Sequence, residues 1–87
     1  MHITIYGMKG CNRCKMAAEK MDRMGFEYTE TKFDDPPHDW RRNGICDAMA
    51  WAALQGGNHT PVPVIAIDGE HFNYSGGMKR LKAMRNN

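Results

Sequence analysis

No stretch of this sequence approaches the ~20 consecutive apolar residues needed to cross a bilayer. Met1-His2-Ile3-Thr4-Ile5-Tyr6 also lacks the basic segment and apolar run of a signal peptide. The expectation is a cytoplasmic protein with no membrane partner. Cysteine is scarce: the chain has three, an odd number, without the paired spacings of a disulfide framework. That excludes a secreted module stapled by disulfides and fits a reducing, intracellular setting. Neither sign of charge is in excess, since 12 basic residues face 10 acidic ones for a formal net charge of +2, and no nucleic-acid partner is expected. Aromatic residues are few (two Trp, three Tyr, three Phe), so the core must come mostly from aliphatic and Met side chains. At 87 residues there is room for a single domain, 1–87, and a monomer is expected.

What the chain does have is Gly10-Cys11-Asn12-Arg13-Cys14, placed where a short apolar strand gives way to an amphipathic helix. Two cysteines three positions apart at a first helical turn are close enough to form a small disulfide ring. The first sulfur also meets unpaired backbone N–H groups and the positive end of the helix dipole. Such a setting favours thiolate over thiol and can lower a cysteine pKa from about 8.5 to as little as ~3.5–7.5. Lys9, Arg13 and Lys15 add positive charge nearby. The thiolate is the attacking species in disulfide exchange, so helix geometry makes Cys11 the nucleophile and Cys14 the resolving thiol. Two other uses of the pair are open. A zinc site would need two further ligands from Cys46, His2, His38, His59 and His71, none of which forms a second closely spaced pair. A static disulfide closing so short a loop would constrain the unfolded chain little.

Along the chain, residues 2–6 read as a strand cut off by Gly7, and residues 7–10 as a loop. From Cys11 to Met24, Cys14, Ala17, Ala18, Met21 and Met24 recur at helical steps, and Gly25 supplies a left-handed cap. The helix methionines are core filler on this pattern. Phe26, Tyr28, Thr29, Thr31 and Phe33 form a second strand, parallel to the first through a βαβ crossover. Asp34-Asp35-Pro36-Pro37-His38 is a loop, and Asp39 is a candidate N-cap for a helix from Trp40 to Leu54 with a weak point at Gly44. Cys46, in an apolar context on that helix, is expected to be buried, and His59 to be an exposed turn residue. Val64–Ile67 and residues 70–74 read as a hairpin across Asp68-Gly69. Ser75-Gly76-Gly77 then opens a last helix with Met78, Leu81 and Met84 apolar, and its glycines are candidates to present N–H groups to a carboxylate. Lys79, Arg80, Lys82 and Arg85 crowd this helix, either as a solvated face suiting a helix C-terminus or as a dock for an acidic partner. Pro63, with no N–H, can begin the third strand without leaving a donor unpaired, and a cis bond after Val62 would expose the backbone of Val62 to an extended substrate.

Cys11-Asn12-Arg13-Cys14 after a strand, Val62-Pro63 before the strand Val64–Ile67, Asp68-Gly69 in the hairpin and Gly76-Gly77 before the last helix together resemble a glutaredoxin. The resemblance covers nearly the whole chain. It implies an α/β protein of the thioredoxin fold, a four-stranded mixed sheet flanked by three helices, which the element reading also produces. It further implies a thiol–disulfide oxidoreductase with Cys11 attacking, Cys14 resolving and Pro63 as a cis-proline facing them. Substrate is then bound around Lys9, Arg13, Val62, Pro63, Gly76 and Gly77, with no bound cofactor or metal. Partners implied are a disulfide-containing protein and glutathione as reductant. Asp68-Gly69-Glu70-His71 is similar to redoxins that serve ribonucleotide reductase, which points to an electron donor for that enzyme. The family's usual Pro-Tyr is Asn12-Arg13 here, its Thr is Pro61, and a frequent Cys-Asp is Met78-Lys79. The lost Asp is a partner for the glutathione ammonium, so recharging by thioredoxin reductase is the alternative, and a non-enzymatic metal-binding module is the outsider.

Overall fold

A computed structural model of the protein describes residues 1–55 and 62–85. Its elements are β1 (Ile3–Gly7), α1 (Asn12–Met24), β2 (Thr29–Lys32), α2 (Ile45–Leu54), β3 (Val64–Ile67), β4 (Glu70–Phe72) and α3 (Tyr74–Arg85). The strands form one sheet in the order β2-β1-β3-β4, with β1 parallel to β2 and antiparallel to β3, and β3 antiparallel to β4. This four-stranded mixed sheet with three helices is the thioredoxin fold.

Strand alternation sorts the core onto two faces. Ile3, Ile5, Ile65 and Ile67 point to one face and pack with Ala17 and Met21 of α1 and Met78 and Leu81 of α3. Tyr6, Val64 and Ala66 point to the other and pack with Ile45, Ala48 and Ala52 of α2. The α1 methionine stripe is core at Met21, whereas Met16 is 47% exposed.

Four boundaries differ from expectation, each for a local reason. β1 runs through Gly7, which pairs with Lys32 and accepts the Phe33 N–H at 2.8 Å. β2 begins only at Thr29 because Phe26 is used to close α1: Gly25 donates to Asp22 and Phe26 to Met21, the paired bonds of a Schellman motif. α2 begins at Ile45 rather than Trp40. Asp39 caps no helix; its carbonyl accepts from Arg42 in a tight turn, while Gly44 adopts φ 83° and the Asn43 side chain accepts the Ile45 N–H at 3.0 Å. Lastly, β4 ends at Phe72 because the Asn73 side chain caps α3, accepting the Gly76 N–H at 2.7 Å.

Cys46 is exposed and not buried, since the core face of α2 is Ile45, Ala48 and Ala52, and position 46 turns to solvent. The hairpin turn is as expected, with Asp68 at φ 49° and Gly69 at φ 88° joining β3 to β4. The Asp68 carboxylate accepts the His2 N–H at 2.7 Å and ties down the start of the chain. His59 and Pro61 lie outside the described residues.

Candidate active site

β1, an inner strand, ends at Gly7, and a turn closed by the Cys11 N–H on the Met8 carbonyl (3.3 Å) reverses the chain into α1. Cys11 is the N-cap residue, with extended backbone at φ −82° and ψ 112°. Its sulfur accepts the Cys14 N–H at 3.2 Å, so it fills the place of a capping oxygen and satisfies one of the helix's free donors. The first turn of α1 holds no acidic residue to offset the dipole at that sulfur. Cys11 and Cys14 are joined as a disulfide, their Cα atoms 5.3 Å apart.

The seat of Cys14 depends on a residue that sequence reasoning read only as a strand stop. A Cβ on Gly7 would stand 2.7 Å from Cys14 Sγ, so the ring lies directly on the glycine backbone. Asp34 is a second residue without a prior role. Its carboxylate accepts the Lys9 N–H (3.2 and 3.3 Å to its two oxygens) and pins the loop leading to Cys11. An aspartate just after a strand carries no signal of its own for such a contact.

The expected site residues fall on two flanks. On the β2 side, Lys9, Cys11, Cys14, Lys15 and Lys32 line a cleft of about 480 Å³ that also holds Glu19, Asp22 and Tyr28. Burial and the Asp22 carboxylate together hold the Tyr28 phenol above its ordinary value. On the β3 side, Tyr6 pairs with Val64, so the next step of that ladder sets Pro63 across from Gly7. The Val62–Pro63 peptide is cis, and Pro63 is fully buried. Arg13, Val62, Gly76 and Gly77 do not line the β2-side cleft, and Arg13 is exposed on α1.

β1 and β4 both run antiparallel to β3, so α3 starts at the same end of the sheet as α1 and brings Gly76 and Gly77 to that end. Their N–H groups are already engaged. Gly76 donates to the Asn73 side chain and Gly77 to the Asn73 carbonyl at 2.9 Å. A Cβ on Gly77 would lie 2.7 Å from Ile65 Cδ1, so this glycine lets α3 pack against β3. Among the described residues no group of three or more His, Cys, Asp or Glu is placed to hold a metal ion.

The family model for glutaredoxin matches residues 3–72. The chain belongs to the glutaredoxin family. It is accordingly a thiol–disulfide oxidoreductase, with the paired cysteines such chemistry needs. Solved structures with the same fold include a buckwheat glutaredoxin–glutathione complex, 20% identical over 95% of this chain and 70% of that one with a TM-score of 0.61. A glutaredoxin from Archaeoglobus fulgidus is 21% identical over 93% of this chain and 85% of its own, with a TM-score of 0.61. Wheat glutaredoxin is 15% identical over 99% and 80%, with a TM-score of 0.62. No curated protein sequence matches the chain significantly.

Proposed function

We propose that the protein reduces protein disulfides and glutathione mixed disulfides, with Cys11 as attacking and Cys14 as resolving thiol. The observation that carries this reading is the Cys14 N–H aimed at Cys11 Sγ at the start of α1. In the reduced protein that donor and the helix dipole stabilise a Cys11 thiolate. The thiolate attacks one sulfur of the substrate disulfide, whose S–S bond breaks as an S–S bond to Cys11 forms. The displaced thiolate takes a proton from solvent. Cys14, losing its proton, then attacks Cys11 Sγ, releases the second substrate thiol and leaves the ring seen here. Substrate gains two electrons and two protons, and the Cys11–Cys14 pair is oxidised by the same amount.

Lys9 on one flank, Arg13 on the helix, and Val62 and Pro63 on the other flank are the proposed substrate contacts. An extended substrate backbone would pair with Val62. Two glutathione molecules oxidised to their disulfide would restore the dithiol, a use supported by the glutathione held in the buckwheat complex. A specific observation favours the second reading, in which thioredoxin reductase is the reductant: a glutathione carboxylate at Gly76 and Gly77 must displace Asn73, whose side-chain oxygen already takes the Gly76 N–H. Ribonucleotide reductase is the proposed protein substrate on the resemblance of residues 68–71. Those residues form the hairpin at the opposite end of the sheet from Cys11, where β3 ends beside Ile3. A coupled assay with a mixed disulfide substrate tests the reading by comparing glutathione plus glutathione reductase with thioredoxin reductase. Turnover with either supports disulfide reduction and names the reductant; turnover with neither refutes it.

A further inference from the structure

α1 divides its charges between two flanks. Lys15, Glu19 and Asp22 line the cleft beside β2, so that flank is mixed in sign, whereas Lys20 and Arg23 line a different groove of about 370 Å³, shared with Met24 and with Lys82 and Arg85 of α3. Among the described residues, four cations from two helices and no acidic residue line this groove. Basic residues in a last helical turn offset the helix dipole wherever they point. That accounts for Arg23, Lys82 and Arg85, but neither for Lys20 nor for the convergence of all four on one groove.

The groove is also connected to the dithiol. Arg13, Met16, Lys20 and Arg23 follow one another at steps of three and four, a single stripe on α1 starting inside the Cys11–Cys14 ring. Arg13 and Arg23 are exposed, Met16 is 47% exposed, and Lys20 Nζ stands 5.2 Å from the Tyr74 ring at the start of α3. We propose that this stripe and groove dock an acidic segment of the disulfide-bearing protein substrate. The proposal rests on the reading above that protein disulfides are reduced. At about 1.5 Å per residue along α1, Lys20 lies about 9 Å and Met24 about 15 Å beyond Cys14. An extended chain covers about 3.3 Å per residue, so Asp or Glu about three to five positions from the reacting cysteine would reach the four cations. Met16 and Met24 offer adaptable apolar contact between the charges.

The test uses two disulfide-bearing peptides of equal length, one with Glu and one with Gln three to five residues from the cysteine. The wild-type protein is compared with a Lys82→Gln, Arg85→Gln variant, both changes being on exposed residues. We expect kcat/KM for the Glu peptide to exceed that for the Gln peptide about three- to tenfold at low salt, mostly through KM. The advantage should disappear in the variant and at high salt. Binding of a cysteine-free Glu peptide, followed by fluorescence anisotropy, reads the groove without the chemistry. If that peptide binds wild type and not the variant while no disulfide is reduced, the groove stands and the proposed function fails. Equal kcat/KM for the two peptides, an unchanged preference in the variant, or a groove that takes inorganic pyrophosphate or a single-stranded oligonucleotide but not the acidic peptide overturns the proposal.

Discussion

Cys14 Sγ rests on the backbone of Gly7 with no space for another atom, because a Cβ there would come within 2.7 Å of the sulfur and 3.2 Å of Cys14 Cβ. Gly7→Ala should therefore displace the resolving thiol. We expect it to cost about 1–3 kcal/mol of stability from overpacking and to slow release of the second substrate thiol. Accumulation of the mixed disulfide in stopped quench experiments would show this; unchanged kinetics in a folded variant would remove Gly7 from the account. Tyr6 is the second informative residue. Its hydroxyl donates to the Asn43 carbonyl at 2.6 Å, and burial, with the Asp47 charge adding, pushes its phenol above the ordinary 10.0. A pKa raised in the fold means stability that is fully present below pH 10 and lost as pH climbs through the folded value. Tyr6→Phe should cost about 1 kcal/mol at neutral pH and make that alkaline loss shallower, as read from urea unfolding across the pH range.

At the scale of elements, α3 and α2 each depend on a glycine for a different reason. Gly77 brings α3 close to β3, since its Cβ would lie 2.7–3.2 Å from three atoms of Ile65. Gly77→Val should lower stability by about 1–3 kcal/mol or more, so lost glutathione turnover in that variant would report packing and not ligand contact. Asn73→Ala is the cleaner probe of this helix start. It removes the cap, at about 0.5–2 kcal/mol, and frees the Gly76 donor. If glutathione uses that donor, KM for glutathione should fall in Asn73→Ala; an unchanged KM favours thioredoxin reductase. Gly44 allows the turn into α2 at φ 83°, and any Cβ there would press to 2.8 Å from the Tyr6 hydroxyl. Gly44→Ala should thus unsettle α2 and the Asn43–Tyr6 contact together, by about 1–2 kcal/mol, measurable as a lower denaturation midpoint.

For the whole molecule, the parallel β1–β2 crossover, the β3–β4 hairpin and the dithiol at a helix start were legible because each has a local signature. β1 and β3 are short β-branched runs, α1 has a helical stripe closed by Gly25, and Asp68-Gly69 marks its hairpin. What escaped was settled by contacts between distant segments. Gly7 became a strand residue because Lys32 and Phe33 pair with it, and Asp34 gained a role only when the fold laid it against Lys9. α2 lost its first turn because Asn43, held by Tyr6, supplied a start that propensity around Trp40 could not foresee. Cys46 is exposed because the sheet takes the Ile45, Ala48 and Ala52 face of α2, which an apolar run in sequence does not single out. The double glycine was visible, but its packing against Ile65 was not, since a glycine in sequence does not say what approaches it.

The central claim is the division of labour within the dithiol, and trapping tests it most directly. A reduced Cys14→Ser variant mixed with a disulfide substrate should accumulate a stable mixed disulfide, which peptide mass spectrometry should locate on Cys11 alone. Cys11→Ser should form none. A trapped adduct on Cys46, or an adduct formed by Cys11→Ser through Cys14, would contradict the account.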